Sequence, residues 1–179
     1  MILGAKKLLE LVKEKKLVEN LSKRELKNPE GAGFDLRMGG VYEISGEGFL
    51  GIEERETPKA KLLAEYNPKK KQAFIFEPGK YYLIKTIEKV NTPDNITILF
   101  RHRTTLHRMG MMVFTANVAP GYQGELVFGI MNLGPCKVKI ELGARVVYAM
   151  FHEVKGKSNL YRGQWQGGRV ATKKKEKQI

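Results

Sequence analysis

From Val41 onward the chain is a succession of short apolar and β-branched runs, punctuated by Gly and Pro. That rhythm leaves few folds open. Residues 41–44 stop at Ser45-Gly46, and residues 74–76 are bounded by Glu77-Pro78-Gly79. Further runs cover 81–87, 96–100, 111–115, 125–131, 137–140 and 145–151, with Pro93-Asp94-Asn95 as a turn among them. Residues 34–39 read as one more short strand ending in a turn at Gly39-Gly40. Strands joined by turns predict a mainly β, barrel or jelly-roll architecture, because the βαβ alternation of a parallel sheet is absent. Only the start differs. Leu8, Leu11, Val12 and Leu17 fall near helical spacing among lysines, which predicts a short N-terminal amphipathic helix over 5–17.

The chain has 179 residues, no internal repeat and no obvious linker, so one domain is expected. Residues 160–179 read as a flexible C-terminal arm with a lysine-rich tail. No stretch has the roughly 18 uncharged apolar residues of a membrane span. The opening stretch lacks the apolar core of a signal peptide, so a cytoplasmic location is expected. The single Cys136 excludes an internal disulfide and a multi-cysteine zinc site, and it is expected half-buried or buried at a turn. The formal net charge of +13 favours polyanions, a triphosphate or nucleic acid among them. Zinc-knuckle spacing and an RNA-recognition aromatic box are both missing, which counts against nucleic acid.

Three clusters could carry chemistry. Residues 101–110 hold Arg101, Arg103 and Arg108, with the adjacent hydroxyls of Thr104 and Thr105. Guanidinium forks and hydroxyl donors suit phosphate oxygens. The two threonines could instead cap a helix beginning at Leu106. Residues 117–125 place Pro120-Gly121-Tyr122 and Gly124 in a tight β-connection. Residues 161–168 combine Tyr161, Arg162, Gln164, Trp165 and Gln166 with three glycines. Such a stretch could close over a ligand or pack on a neighbouring subunit.

Taken in order, Arg103-Thr104-Thr105-Leu106-His107-Arg108-Met109-Gly110, Pro120-Gly121-Tyr122-Gln123-Gly124 and Tyr161-Arg162-Gly163-Gln164-Trp165-Gln166-Gly167 resemble the dUTPase and dCTP deaminase superfamily. Met1-Ile2-Leu3, Asp35-Leu36-Arg37-Met38-Gly39 and Thr86 through Asp94 add to the likeness, which is greatest to compact archaeal-type members. The resemblance implies a homotrimer of distorted jelly-roll, β-clip-like subunits with three sites between subunits. It implies a pyrimidine deoxynucleoside triphosphate as ligand, with Mg2+ bridging its oxygens and no direct protein ligand to the metal. Arg103, Thr104, Thr105 and Arg108 would hold the triphosphate. Tyr122 would pack on the deoxyribose, and backbone groups from Asn117 and Val118 to Gly121 would read the base. Gln166, with Tyr161 and Arg162, would close over the phosphates.

The same resemblance exposes a gap. The aspartate that dUTPases use on the attacking water corresponds to Ala119, and the glutamate that dCTP deaminases use corresponds to Gly129. Neither can move a proton. Glu125 is then the nearest acidic candidate, with Asp35 and Glu88 expected to be structural. His102 and His107 are expected to face solvent or an interface, and His152 to be structural. Three readings follow: a dUTP diphosphatase-type hydrolase with its base elsewhere, a dCTP deaminase, or a nucleotide-binding homologue with impaired turnover.

Overall fold

The computed structural model describes residues 1–178. Helix α1 (Ala5–Lys15) opens the chain, followed by β1 (Val18–Glu19), α2 (Lys23–Lys27) and β2 (Phe34–Ser45). Strands β3 (Phe49–Leu50), β4 (Glu54–Glu56), β5 (Lys59–Glu65), β6 (Ala73–Phe76), β7 (Tyr81–Asn91) and β8 (Ile96–His102) come next. Then follow α3 (Thr104–Arg108), β9 (Met111–Phe114), β10 (Gln123–Asn132), β11 (Val138–Glu141), β12 (Arg145–Glu153) and β13 (Glu176–Lys177). An eight-stranded sheet runs β8-β12-β2-β7-β10-β9, with β1 added on β7 and β5 on β2. The protein is therefore mainly β, as expected, and the sheet curls towards closure as a barrel.

Strand β7 shows why these residues make this sheet. Tyr82, Ile84, Thr86, Glu88 and Val90 alternate inward at the period of two that a half-buried strand requires. Two of those inward residues are polar, and both are satisfied. Glu88 accepts from the Arg37 amide at 2.8 Å and from Arg37 Nε at 2.6 Å. Thr86 Oγ1 donates to the Glu88 carbonyl at 2.7 Å and accepts from the Leu126 amide at 2.9 Å. Leu126 lies at a register shift between Glu125 and Val127, so the threonine supplies the partner that the ladder loses there. Aromatic pairs fill the interior, with Phe34 edge-on to Phe151 and Phe100 edge-on to Phe128.

Three expectations change. Gly39-Gly40 is no turn: β2 runs through it with a register shift between Met38 and Gly40. A Cβ at Gly39 would lie 2.9 Å from the Ile87 amide nitrogen, so the glycine serves close strand approach. Helix α1 ends at Lys15, and Leu17 is buried beyond it. Cys136 is exposed in the loop before β11.

Residues 160–178, expected as a flexible arm, lie against their own chain. Strand β13 pairs with β4 in a three-stranded sheet with β3. Thr57 and Thr172 exchange backbone-to-hydroxyl hydrogen bonds of 3.0 and 2.9 Å. Two guanidiniums approach the Trp165 ring, Arg55 at 5.0 Å and Arg169 at 5.8 Å from its centroid.

Candidate functional site

A cavity of about 450 Å³ opens between the sheet and this arm. Residues 116–119 form one wall, and Leu83, Phe100, Leu126 and Phe128 give the cavity an apolar lining. Tyr161, Trp165 and Arg169 roof it, and Tyr81 and Tyr122 reach into it. The wall exists because residue 118 pairs with β8: Val118 and Ile98 exchange backbone hydrogen bonds of 2.9 and 3.0 Å. Residues 119–122 then turn tightly, with the Tyr122 amide donating to the Ala119 carbonyl at 3.3 Å. Gly121 has φ +82°, a left-handed conformation that glycine adopts without strain.

Tyr122 is nearly fully buried, and its hydroxyl donates to the Glu125 carbonyl at 2.7 Å. Burial pushes its phenol up to about 12. Tyr161 stands edge-on to it at 5.2 Å. The arm is pinned over the turn by Gln166, whose Oε1 accepts from the Gln123 amide at 2.9 Å and whose Nε2 donates to the Gly121 carbonyl at 3.2 Å. Arg162 is exposed beside them. The structure thus brings Asn117, Val118, Ala119, Gly121, Tyr122, Tyr161 and Gln166 together. Not one residue lining the cavity is Asp, Glu or His.

Arg103, Thr104 and Thr105 lie in a second recess of about 390 Å³, with Asp35, Arg101, His102 and Tyr148. The two recesses share no lining residue. Asp35 anchors the second one. Its Oδ2 takes the Arg103 guanidinium, Arg145 Nη1 at 2.8 Å and Arg24 Nη1 at 3.6 Å. Its Oδ1 is buried without a hydrogen-bond partner. Thr104 and Thr105 are exposed as the first residues of α3. They do not cap a helix at Leu106; the cap position is Arg103, without a side-chain cap bond.

Arg108 lies apart from Arg103. With His107 it lines a third recess shared with Lys137 and Lys139. His102 Nε2 and His107 Nδ1 are 3.2 Å apart, so the imidazoles bond to each other. His152 Nε2 is buried without a partner. Glu125 does not line the cavity under the arm; it faces Lys89 at 3.6 Å. Glu88 is fully buried against Arg37, and burial raises its carboxyl above the usual range. Among the described residues no group of three or more His, Cys, Asp or Glu could hold a metal ion.

Sequence reasoning missed Tyr81, and also Arg55 and Thr57, which tie down the roof. One signal was available for Tyr81. A glycine inside a strand marks close approach of another group, and Gly129 is such a glycine. The Arg55 contact with Trp165 had no signal, because β4 is the charged triplet Glu54-Arg55-Glu56.

The family model described as dCTP deaminase-like matches residues 2–154. A relative from Methanothermobacter thermautotrophicus named "Probable deoxyuridine 5'-triphosphate nucleotidohydrolase" is 34% identical over 135 residues, 75% of this chain and 85% of that protein. A dCTP deaminase of Pyrococcus furiosus is 30% identical over 168 residues, 93% of this chain and 95% of the relative. Among solved structures, the 2'-deoxycytidine 5'-triphosphate deaminase of Agrobacterium tumefaciens superposes with a TM-score of 0.63 at 18% identity. That match covers 86% of this chain and 48% of the other, a likeness of fold. With the ordered motifs, the barrel and these matches in hand, the chain belongs to the dCTP deaminase-like family.

Proposed function

We propose that the protein binds a pyrimidine deoxynucleoside triphosphate and acts as a dUTP diphosphatase-type hydrolase, releasing dUMP and pyrophosphate. The observation that carries this reading is the split between the two recesses. One is apolar and aromatic, sized for a nucleoside, with the 117–122 turn along its wall. The other is lined by arginines and threonine hydroxyls suited to phosphates. A ligand needs both. Two recesses without a shared residue are what a chain offers when a neighbouring copy supplies the other half, so a homotrimer with sites between subunits fits the geometry.

In that assembly Tyr122 packs on the deoxyribose while its hydroxyl stays bonded to the Glu125 carbonyl. Backbone groups of residues 117–121 read the base edge. Arg103, Thr104 and Thr105 take the phosphates, together with Arg108 from the third recess. Asp35 keeps Arg145 and Arg24 as partners when Arg103 turns to a phosphate, so the carboxylate is not left bare. Gln166, Tyr161 and Arg162 close the arm. The cation arrives on the nucleotide, held by its phosphate oxygens. Magnesium on the triphosphate would neutralise its charge and orient the phosphates.

Turnover is separable from binding. Ala119 lines the cavity where a carboxylate is needed, which favours slow hydrolysis or a binding role over fast catalysis. Calorimetry with dUTP and dCTP in magnesium tests binding, and absence of binding at millimolar ligand refutes the reading. Parallel assays of pyrophosphate and ammonia divide hydrolysis, deamination and binding without turnover.

A further inference from the structure

Gly129 lies inside β10 opposite Leu83, and Tyr81 lies opposite Met131 on the same pair of strands. Residues 81, 83, 129 and 131 therefore share one face, from which Tyr81 and Leu83 line the cavity. Gly129 is not among the glycines with positive φ, so its backbone does not call for glycine. Its space does. A Cβ built there would lie 2.2 Å from the Tyr81 hydroxyl and 2.9 Å from its Cζ. The phenol has taken the room of a side chain at 129, and the two are mutually exclusive in this arrangement.

The hydroxyl placed there is free for a ligand. Most polar side chains of the lining are engaged by the protein. Tyr122 donates to Glu125, Arg169 pairs with Glu176, Thr57 meets Thr172, and Tyr161 accepts from the Trp165 amide. Apart from the Trp165 indole, the Tyr81 hydroxyl and the Asn117 amide are the side-chain groups of the lining with no hydrogen bond among the described residues. Burial raises the Tyr81 phenol further above neutrality, so it carries its proton and cannot serve as a base.

We infer that Tyr81 is a ligand-binding residue of this cavity, donating a hydrogen bond from its hydroxyl to a carbonyl oxygen of the bound pyrimidine in the place left by the missing side chain at 129. The inference rests on the nucleotide reading above. It makes the cavity a place that holds the base by an apolar lining and a neutral donor, without chemistry on the ring.

The test compares wild type with Tyr81→Phe, titrating a non-hydrolysable dUTP analogue and, separately, inorganic tripolyphosphate. Loss of one neutral hydrogen bond predicts roughly threefold to tenfold weaker binding of the analogue. Binding of tripolyphosphate, which has no base, is expected to stay unchanged. Equal affinity of both proteins for the analogue overturns the inference while leaving the nucleotide reading intact. A parallel loss for tripolyphosphate also overturns it, since the effect is then not on the base. If the wild type binds no analogue, the nucleotide reading falls and this inference with it. The packing claim has its own readout. Gly129→Ala should lower Tm in the wild-type background and much less in Tyr81→Ala, and equal losses in both backgrounds refute it.

Discussion

Replacing Gly124 by Ala should loosen the arm without unfolding the barrel. Gly124 has φ +141°, a conformation that costs an L-residue about 1–3 kcal/mol. Its Cβ would also lie 2.6 Å from the Gly167 carbonyl carbon and the Gly168 amide nitrogen. Those are backbone atoms with no rotamer to yield, so the arm must move. What holds the arm at this point is countable. Gln166 makes its two hydrogen bonds of 2.9 and 3.2 Å, and the Gly167 amide donates to the Gln123 carbonyl at 2.8 Å. At ~1 kcal/mol each these total about 3 kcal/mol for the segment beside Gly124, with β13 and the Thr57–Thr172 pair holding the arm further on. A strain of similar size cancels the local hold and loosens this segment. Trp165 is the sole tryptophan and lies in the roof, so acrylamide quenching of its fluorescence reports the arm directly. Gly124→Ala is expected to be quenched more strongly and to bind dUTP less tightly. Gly46→Ala is the control, with φ +86° and nothing within 4 Å of the added carbon. If Gly124→Ala matches wild type in quenching, or if the control changes equally, the account of the arm is wrong.

Ala119→Asp places a carboxylate in the cavity wall, and dUTP hydrolysis should appear or rise by about 10²-fold or more. An unchanged rate with binding preserved would mean that the resident chemistry does not use this position. Asp35→Asn breaks the convergence of Arg24, Arg103 and Arg145, at a cost of about 3 kcal/mol because the arginines reach water. A fall in Tm of roughly 6–12 °C is expected, and a shift within error would show that the cluster is not structural. Tyr122 gives a pH dependence. Its folded pKa of about 12 lies above the ~10 of an unfolded tyrosine, so the fold favours the protonated form. That contribution is full below pH ~10 and is lost as pH rises towards 12. The stability advantage of wild type over Tyr122→Phe should shrink across that window in thermal melts. A constant difference from pH 8 to 12 would refute the assignment.

The β content was legible because β7, β8, β10 and β12 bury alternate apolar residues, and alternation is visible in one dimension. What escaped notice has the opposite composition. Strand β5 is Lys-Ala-Lys-Leu-Leu-Ala-Glu with one buried residue, and β4 and β13 are charged. Such strands exist because a neighbour offers a free edge, which no local pattern records. Gly39-Gly40 misled for a related reason. Glycine pairs commonly mark turns, but here they allow β2 to approach β7 closely within one long strand.

The site divides along the same line. The turn at 119–122 and the threonine pair were legible, since turn chemistry and hydroxyl-arginine clusters are local. Their relation was not. The residues alone do not say which recess each one joins, and folding puts Arg103 to Thr105 and Asn117 to Tyr122 into recesses with no common residue. The absence of a carboxylate at 119 and 129 then takes on a structural meaning. At 129 the space is taken by the Tyr81 phenol, so a glutamate there requires that ring to swing aside. At 119 the alanine lines the cavity. The two positions look equivalent as missing acids in the sequence. In the structure, position 129 meets the Tyr81 phenol, and position 119 lines the cavity. An acid at 129 needs Tyr81 to move first, and an acid at 119 does not.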